Sequence, residues 1–228
     1  MARLKSEFFK SSSWSFTAVV FRALGGLTIN KLFAIFLGTP GITLLSHFQN
    51  LTALFTQLPS EGVNRSIMKY WSDPQIDEVE RVKLFKTGLW VTALIFGSTL
   101  SVLYFRYRDY FFDRFINDYT PQQFLTLFIP AVLLMLMSGY LNSVILALRR
   151  VKAYAIINIA GLLLLVSLVY FGVTQGTLDQ ALLSFALGYG LMFFCALTYL
   201  IYRRKSISLG VGLPYAKSLK KISKFIAM

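Results

Sequence analysis

Residues Tyr154–Val173 read YAIINIAGLLLLVSLVYFGV, twenty consecutive residues without a charge. An α-helix rises ~1.5 Å per residue, so this run reaches across the ~30 Å hydrocarbon core of a bilayer. It is predicted to be a membrane span. Five further runs of similar character flank it. Together the predicted spans are Trp14–Leu37, Ile42–Tyr70, Leu84–Phe105, Phe124–Leu148, Tyr154–Val173 and Leu182–Tyr202. The second is apolar to about Leu58 and stays helical beyond it. The chain is therefore expected to be an all-α membrane protein of six transmembrane helices.

Composition agrees. Of the 228 residues 56% are hydrophobic and 14% charged, and the mean hydropathy is +0.60. A soluble domain carries about 25% charged residues, and a water-soluble fold of this length could not hide so much apolar surface in one core. The net charge of +13 does not imply nucleic-acid binding, because the bases sit in short segments between apolar runs. Cys195 is the only cysteine and lies in an apolar run, where it reads as a small buried hydrophobe. No cleavable signal peptide is apparent; the first long apolar stretch reads as span one.

The connectors orient the spans. Arg3, Lys5 and Lys10 precede span one. Arg65, Lys69, Arg81, Lys83 and Lys86 surround the end of span two. Arg149, Arg150 and Lys152 form the turn after span four. Arg203, Arg204, Lys205, Lys217, Lys220, Lys221 and Lys224 follow span six. The other connectors hold only Arg106, Arg108 and Arg114. By the positive-inside rule both termini are expected in the cytoplasm.

Three connectors have features of their own. Ser72-Asp73-Pro74 has the form of a helix start; Ile76, Val79 and Val82 share a face after it, and Asp77 and Arg81 are spaced for an i,i+4 pair. An interfacial helix is expected there. The connector after span three is rich in aromatics from Tyr104 to Tyr119, an anchoring belt at headgroup depth, with a sugar-stacking platform as the sharper alternative. Gly38-Thr39-Pro40-Gly41 suits a tight reversal, which makes spans one and two antiparallel neighbours.

Enzyme signatures are absent from the sequence. His47 is the only histidine, and there is no phosphate loop, nucleophile elbow or zinc-binding histidine pair. Asp109 and Asp113 read as a solvated charge cluster. No cofactor and no metal are expected.

The informative residues are polar ones inside the spans. A charge at mid-bilayer costs roughly 2.5–3.5 kcal/mol on insertion scales, so such residues usually face a protein interior or a water-filled cavity. On span two, Ser46, His47, Asn50, Gln57, Glu61, Asn64 and Arg65 fall within an arc of roughly 120° at ~100° per residue. Leu45, Phe48, Leu51, Phe55 and Val63 fall outside it. The stripe is either interhelical glue or one wall of a water-lined path, and its length and terminal carboxylate favour the path.

On span one, Ser15, Ala18, Arg22, Gly25 and Gly26 share a face whose small residues allow close helix approach. Arg22 lies about 12 Å from the start of the span, at a depth similar to Glu61. An Arg22–Glu61 approach is expected, with Arg65 as the rival partner of Glu61. Lys31 points away from Arg22 on a straight helix. Either Gly25-Gly26 bends the span, or Lys31 snorkels to the outer interface. Weaker polar clusters are Ser138, Gly139, Asn142 and Ser143 on span four, Asn158 and Gly161 on span five, and Ser184, Gly188 and Gly190 on span six. These read first as packing glue.

The first 75 residues carry a resemblance. Phe21-Arg22-Ala23-Leu24-Gly25-Gly26 continues through Asn30-Lys31 into Phe36-Leu37-Gly38-Thr39-Pro40-Gly41. Phe48-Gln49-Asn50-Leu51 and Glu61-Gly62-Val63-Asn64-Arg65 follow, then Ile67-Met68-Lys69-Tyr70. This resembles the start of the Wzx-type O-antigen and polysaccharide flippases of the multidrug/oligosaccharidyl-lipid/polysaccharide exporter superfamily. The turn departs from the usual leucine-glycine-proline-glycine pattern by an extra threonine, and the later residues agree only in span number and loop pattern.

The resemblance implies a flippase that moves an undecaprenyl-diphosphate-linked oligosaccharide across the bacterial inner membrane by alternating access. It implies two lobes of six spans around a cationic cavity, with lipid-linked oligosaccharide, membrane lipid and other polysaccharide-assembly proteins as partners. Residues 1–216 would be the N-terminal lobe, and 217–228 a basic segment leading into the second, supplied by the same polypeptide or by a second copy. Arg22, Lys31, Asn50, Gln57, Glu61, Asn64 and Arg65 would line the path, with Glu61 available for coupling to a proton or sodium gradient. Drug antiporters and lipid-linked peptidoglycan precursor flippases share that fold and are the alternatives. A membrane enzyme of polysaccharide assembly would need a large loop with acid/base or metal-binding residues; a non-transporting assembly subunit would bury its polar stripe.

Overall fold

In the computed structural model, residues 2–106, 129–175, 178–202 and 215–226 are described. They form α1 (Ala2–Trp71), α2 (Glu78–Arg106), α3 (Ile129–Ala147), α4 (Val151–Thr174), α5 (Leu178–Tyr202) and α6 (Ala216–Ile226). No strand occurs among the described residues. Five helical stretches are long and apolar enough to cross a membrane: Ser12–Asn50, Glu78–Val102, Ile129–Ala147, Val151–Thr174 and Gln180–Tyr202. The coarse expectation of an all-α protein built for a bilayer is met. The aromatic connector after Arg106 lies almost wholly outside the described residues.

The first apolar stretch is 39 residues long, almost twice what one crossing needs. Its one non-helical residue is Gly38, at φ 64°, ψ −155°, a backbone state open essentially to glycine alone. The packing partners show what that residue does. Before it, the Trp14 ring lies under Lys152 at the start of α4, and the Phe36 ring meets Tyr170 near the end of α4. This first arm therefore runs parallel to α4. After Gly38 the order reverses. Phe48 stacks edge-on against Phe185 of α5, in the same apolar cluster as Val169 and Val173. Trp71 packs with Ala147, Leu148 and Ala153, back at the level of Lys152.

α1 is thus a hairpin of two arms. The arms are antiparallel, as the sequence predicts, but the reversal uses one residue rather than a four-residue loop. Thr39, Pro40 and Gly41 already belong to the second arm. Proline suits a first helical turn, because its missing N–H would be unpaired there anyway. A Cβ on Gly41 would stand 3.3 Å from the Phe33 carbonyl oxygen, so the arms separate from near contact.

Two apolar clusters lie along the bundle axis. One joins Ile29, Phe33, Leu45, Phe48, Val169 and Phe185 toward the Gly38 end. The other joins Val63, Ile67, Trp71, Phe85, Tyr140 and Ile145 toward the end rich in lysine and arginine. In the second, the buried Tyr140 hydroxyl donates to the Phe85 carbonyl at 2.6 Å. Large apolar side chains also cover the outside, among them Phe16, Leu27, Phe171 and Phe194, all more than half exposed. An apolar exterior of this extent belongs against lipid.

One expectation near the basic end needs correction. The connector after span two holds no separate interfacial helix: α2 begins at Glu78 and runs unbroken to Arg106. Asp73 ties the preceding residues into a turn instead, accepting from the Gln75 N–H at 3.0 Å and, through its carbonyl, from Arg81 Nη2 at 3.0 Å. Asp77 then opens the helix, its carbonyl accepting from the Arg81 N–H at 3.0 Å. Asp77 and Arg81 are linked through the backbone and not as an ion pair. The described part of the basic segment after residue 216, α6, packs on α1 and α2, with Ser218 and Ile222 buried.

Candidate functional site

Between the two apolar clusters lies a cavity of about 290 Å³. It is walled by the first arm of α1 and by α3, α4 and α5. The first arm contributes Ala18 and Arg22, α3 contributes Ser138, Gly139 and Asn142, α4 contributes Asn158, and α5 contributes Tyr189. Small residues make room for it. A Cβ on Gly25 would come within 2.5 Å of Leu162, and one on Gly161 within 2.5 Å of Met192 Cγ. The helices around the cavity therefore touch backbone to side chain at these glycines.

Arg22 is the cavity's only charged wall residue. Its Nη2 donates to the Tyr154 hydroxyl at 3.0 Å and lies 3.5 Å from Asn158 Oδ1. Asn158 in turn donates to the Tyr154 carbonyl at 2.8 Å and to Asn142 Oδ1 at 3.3 Å. One guanidinium on α1 is thus held by a polar relay on α4 and α3. A guanidinium carries five N–H donors, and this relay engages one nitrogen, so donors stay available to an anion. Chemically the arrangement can hold an anionic group; it presents no nucleophile or acid/base pair.

The sequence-predicted residues separate into three groups. Arg22 lies on the cavity wall. Asn64 lies at its margin: a Cβ on Gly139 would be 3.9 Å from Asn64 Nδ2. Its Oδ1 is buried with no hydrogen-bond partner among the described residues. Asn50, Glu61 and Arg65 are exposed on the second arm, away from the cavity wall. The side chain of Gln57 lies outside the described residues. The Arg22–Glu61 pair is not formed. Glu61 bonds Arg65 one turn along, because that partner is already on its own helix, whereas Arg22 faces α4.

Lys31 is exposed and takes no part in the cavity. Gly25-Gly26 does not break the helix, since Gly38 is the only non-helical residue of α1. The small-residue face holds for Ala18 and Gly25 but not for Gly26, around which nothing lies within 4 Å of a Cβ.

The second arm differs from the first in what its described residues expose. Its buried residues include Leu45, Phe48, Val63 and Ile67, at most 7% exposed, with the hydroxyl residues Thr52 and Ser66 among them. From Ser46 to Lys69 its exposed described residues are Ser46, Gln49, Asn50, Glu61, Arg65 and Lys69, every one polar. The first arm shows the opposite pattern, with Phe16, Val19, Leu24, Leu27 and Ile35 exposed. A lipid-facing helix exposes apolar residues and turns polar ones inward, which the described residues from Ser46 to Lys69 do not do on their exposed side.

Tyr154 and Tyr189 were not legible as site residues. Tyr154 stands at a span end, where a tyrosine reads as an interfacial anchor, and only the pairing of α4 with the first arm of α1 puts it on Arg22; Tyr189 lies inside its span. Asn142, Ser138 and Asn158 were legible as polar residues in spans, but not as one site. A comparison of the chain with family models, with curated proteins and with solved structures returns no match.

Proposed function

We propose that this chain is one six-span lobe of a transporter of the Wzx type, which flips a lipid-linked oligosaccharide across the bacterial inner membrane. In this reading the two arms of α1 cross the bilayer separately and α2 to α5 supply the other four crossings, with both ends in the cytoplasm. The observation that carries it is the exposed side of the second arm, polar at every described position from Ser46 to Lys69. A helix with a polar exposed side faces water or another protein surface. A path closed by a second lobe, from the same polypeptide or a second copy, supplies both.

The division of labour follows from position. Asn50, Glu61 and Arg65 form the wall of the path. Arg22, held by Tyr154 and Asn158, takes the anionic diphosphate, which must leave water on the way across. A fixed guanidinium replaces the lost hydration with charge-assisted hydrogen bonds, about twice as strong as neutral ones. Arg22→Ala in the intact gene is expected to abolish surface polysaccharide while protein abundance holds, with Arg22→Lys recovering part of it. Wild-type polysaccharide in the alanine variant sinks the reading.

Glu61 is the carboxylate available for ion coupling. If it carries the coupling proton, Glu61→Gln makes transport independent of pH; a pH profile identical to the parent's rejects that role.

One observation favours a second reading, a small-molecule antiporter. The cavity of about 290 Å³ is at the lower end of sites for drug-sized ligands and far too small for an oligosaccharide. Drug efflux by cells that express the protein, with no polysaccharide phenotype on deletion, selects the antiporter.

A further inference from the structure

α6 carries four lysines within eight residues, Lys217, Lys220, Lys221 and Lys224. They do not behave alike. Ser218 and Ile222, one turn apart, are buried against the bundle. Lys221 is part of that seat: its Nζ lies 2.6 Å from Glu80 Oε1 and 5.2 Å from the centre of the Tyr70 ring. The helix start is also tied down, with the Tyr215 N–H donating to Thr87 Oγ1 at 3.2 Å. Lys217, Lys220 and Lys224 are exposed. At ~100° per residue they fall within an arc of roughly 60°, and no ion pair forms on them among the described residues. Leu219 and Tyr215, 37% and 41% exposed, lie between that arc and the seated face.

The place of this helix identifies its partner. α6 packs at the end of the spanning helices, beside Trp71 and Phe85, the level at which a bilayer presents its headgroups. Arg149, Arg150 and Lys152 are exposed at the same end. The nearby exposed acids are Asp77 and Glu78, on the connector and the first residue of α2, not on α6. A basic strip bordered by exposed apolar side chains, held at the membrane surface, matches the general form of an interfacial helix that binds anionic lipid.

We infer that Lys217, Lys220 and Lys224 of α6 form a binding surface for anionic phospholipid headgroups, seated on the bundle by the Lys221–Glu80 pair. The surface is separate from the Arg22 cavity and is independent of what the protein transports. Each lysine near an anionic membrane surface adds roughly fivefold to affinity, so the three together add on the order of a hundredfold, less at high salt.

The test uses the full chain purified in a neutral detergent. Bound lipid is counted by native mass spectrometry as phosphatidylglycerol or phosphatidylcholine is titrated in, with inorganic phosphate as a third arm. The parent is expected to prefer phosphatidylglycerol, and K217Q/K220Q/K224Q to lose most of that preference. K217R/K220R/K224R is expected to keep it, which separates charge from misfolding. Three results overturn the inference: an unchanged preference in the glutamine variant, an equal loss in R149Q/R150Q/K152Q, or displacement of the lipid by millimolar phosphate. The second indicates a diffuse basic field and the third a free-anion site. All readouts are lipid binding, so loss of transport in an Arg22 variant bears on neither outcome.

Discussion

Gly25 and Gly26 are adjacent, chemically identical and in the same helix, yet they do different things. Gly25 lets Leu162 approach to where a Cβ would stand, while nothing lies near Gly26. Neighbouring residues on a helix point about 100° apart, so a small-residue pair in sequence is a contact at one position only. Gly25→Val is expected to cost about 1–3 kcal/mol through overpacking. Gly26→Ala should be neutral or slightly stabilising, since glycine is the poorer helix former by up to ~1 kcal/mol. Melting temperatures in detergent check the contrast; equal effects contradict the packing described. Arg22 makes the same point in polar form. A guanidinium inside a span stands out from its cost alone. That Tyr154 and Asn158 hold it, and that Glu61 does not, depended on which helix the first arm lies against.

At the scale of elements, α1 decides the architecture. Its reversal rests on one residue with positive φ, Gly38, and Pro40 needs no special accommodation in the first turn of the second arm. Any side chain at position 38 strains a backbone state that L-residues avoid, at a cost of order 1–3 kcal/mol. Gly38→Ala is expected to lower the melting temperature measurably, whereas Thr39→Ala should not. A Gly38→Ala protein as stable as the parent removes the hairpin geometry. The exposed Glu61–Arg65 pair is the contrasting case: an i,i+4 surface pair is worth only ~0.3–0.5 kcal/mol. Glu61→Gln therefore tests function without threatening the fold. The connector before α2 teaches a similar lesson. Ser72-Asp73-Pro74 has the chemistry of a helix start, but Asp73 is already committed to a turn with Gln75 and Arg81, so Asp77 opens the helix instead.

At the scale of the whole molecule, charge is sorted to one end. The start of α1's first arm, the end of its second, the α3–α4 turn and α6 meet there, joined by Lys152 on Trp14 and Lys221 on Tyr70. Such sorting predicts that this end is cytoplasmic. A reporter active only outside the cytoplasm, inserted at Arg150 or fused after Ile226, is expected to stay silent, and one inserted at Gln175 to be active. The reverse pattern refutes the orientation. The exterior is also sorted: the first arm, α4 and α5 expose apolar residues, and the described part of the second arm from Ser46 to Lys69 exposes polar ones. The polar face is where a second lobe or a second copy would pack.

The sequence alone determined that the chain is helical and made for a bilayer, because one-dimensional runs of apolar residues measure their own length against the membrane. It also determined that Arg22 and the polar stripe of the second arm stand apart, because a helix repeats every 3.6 residues whatever it packs against. The tertiary structure decided everything that depends on which helices touch. It placed Arg22 on Tyr154 and Asn158, gathered Ser138, Asn142 and Tyr189 around the same cavity, and left Ser46, Asn50, Glu61 and Arg65 of the stripe exposed. It also seated α6 on the bundle. These are contacts between residues far apart in sequence, as far as Arg22 and Asn158. Periodicity within one helix carries no information about them, because the partner's face is set by packing and not by the helix itself.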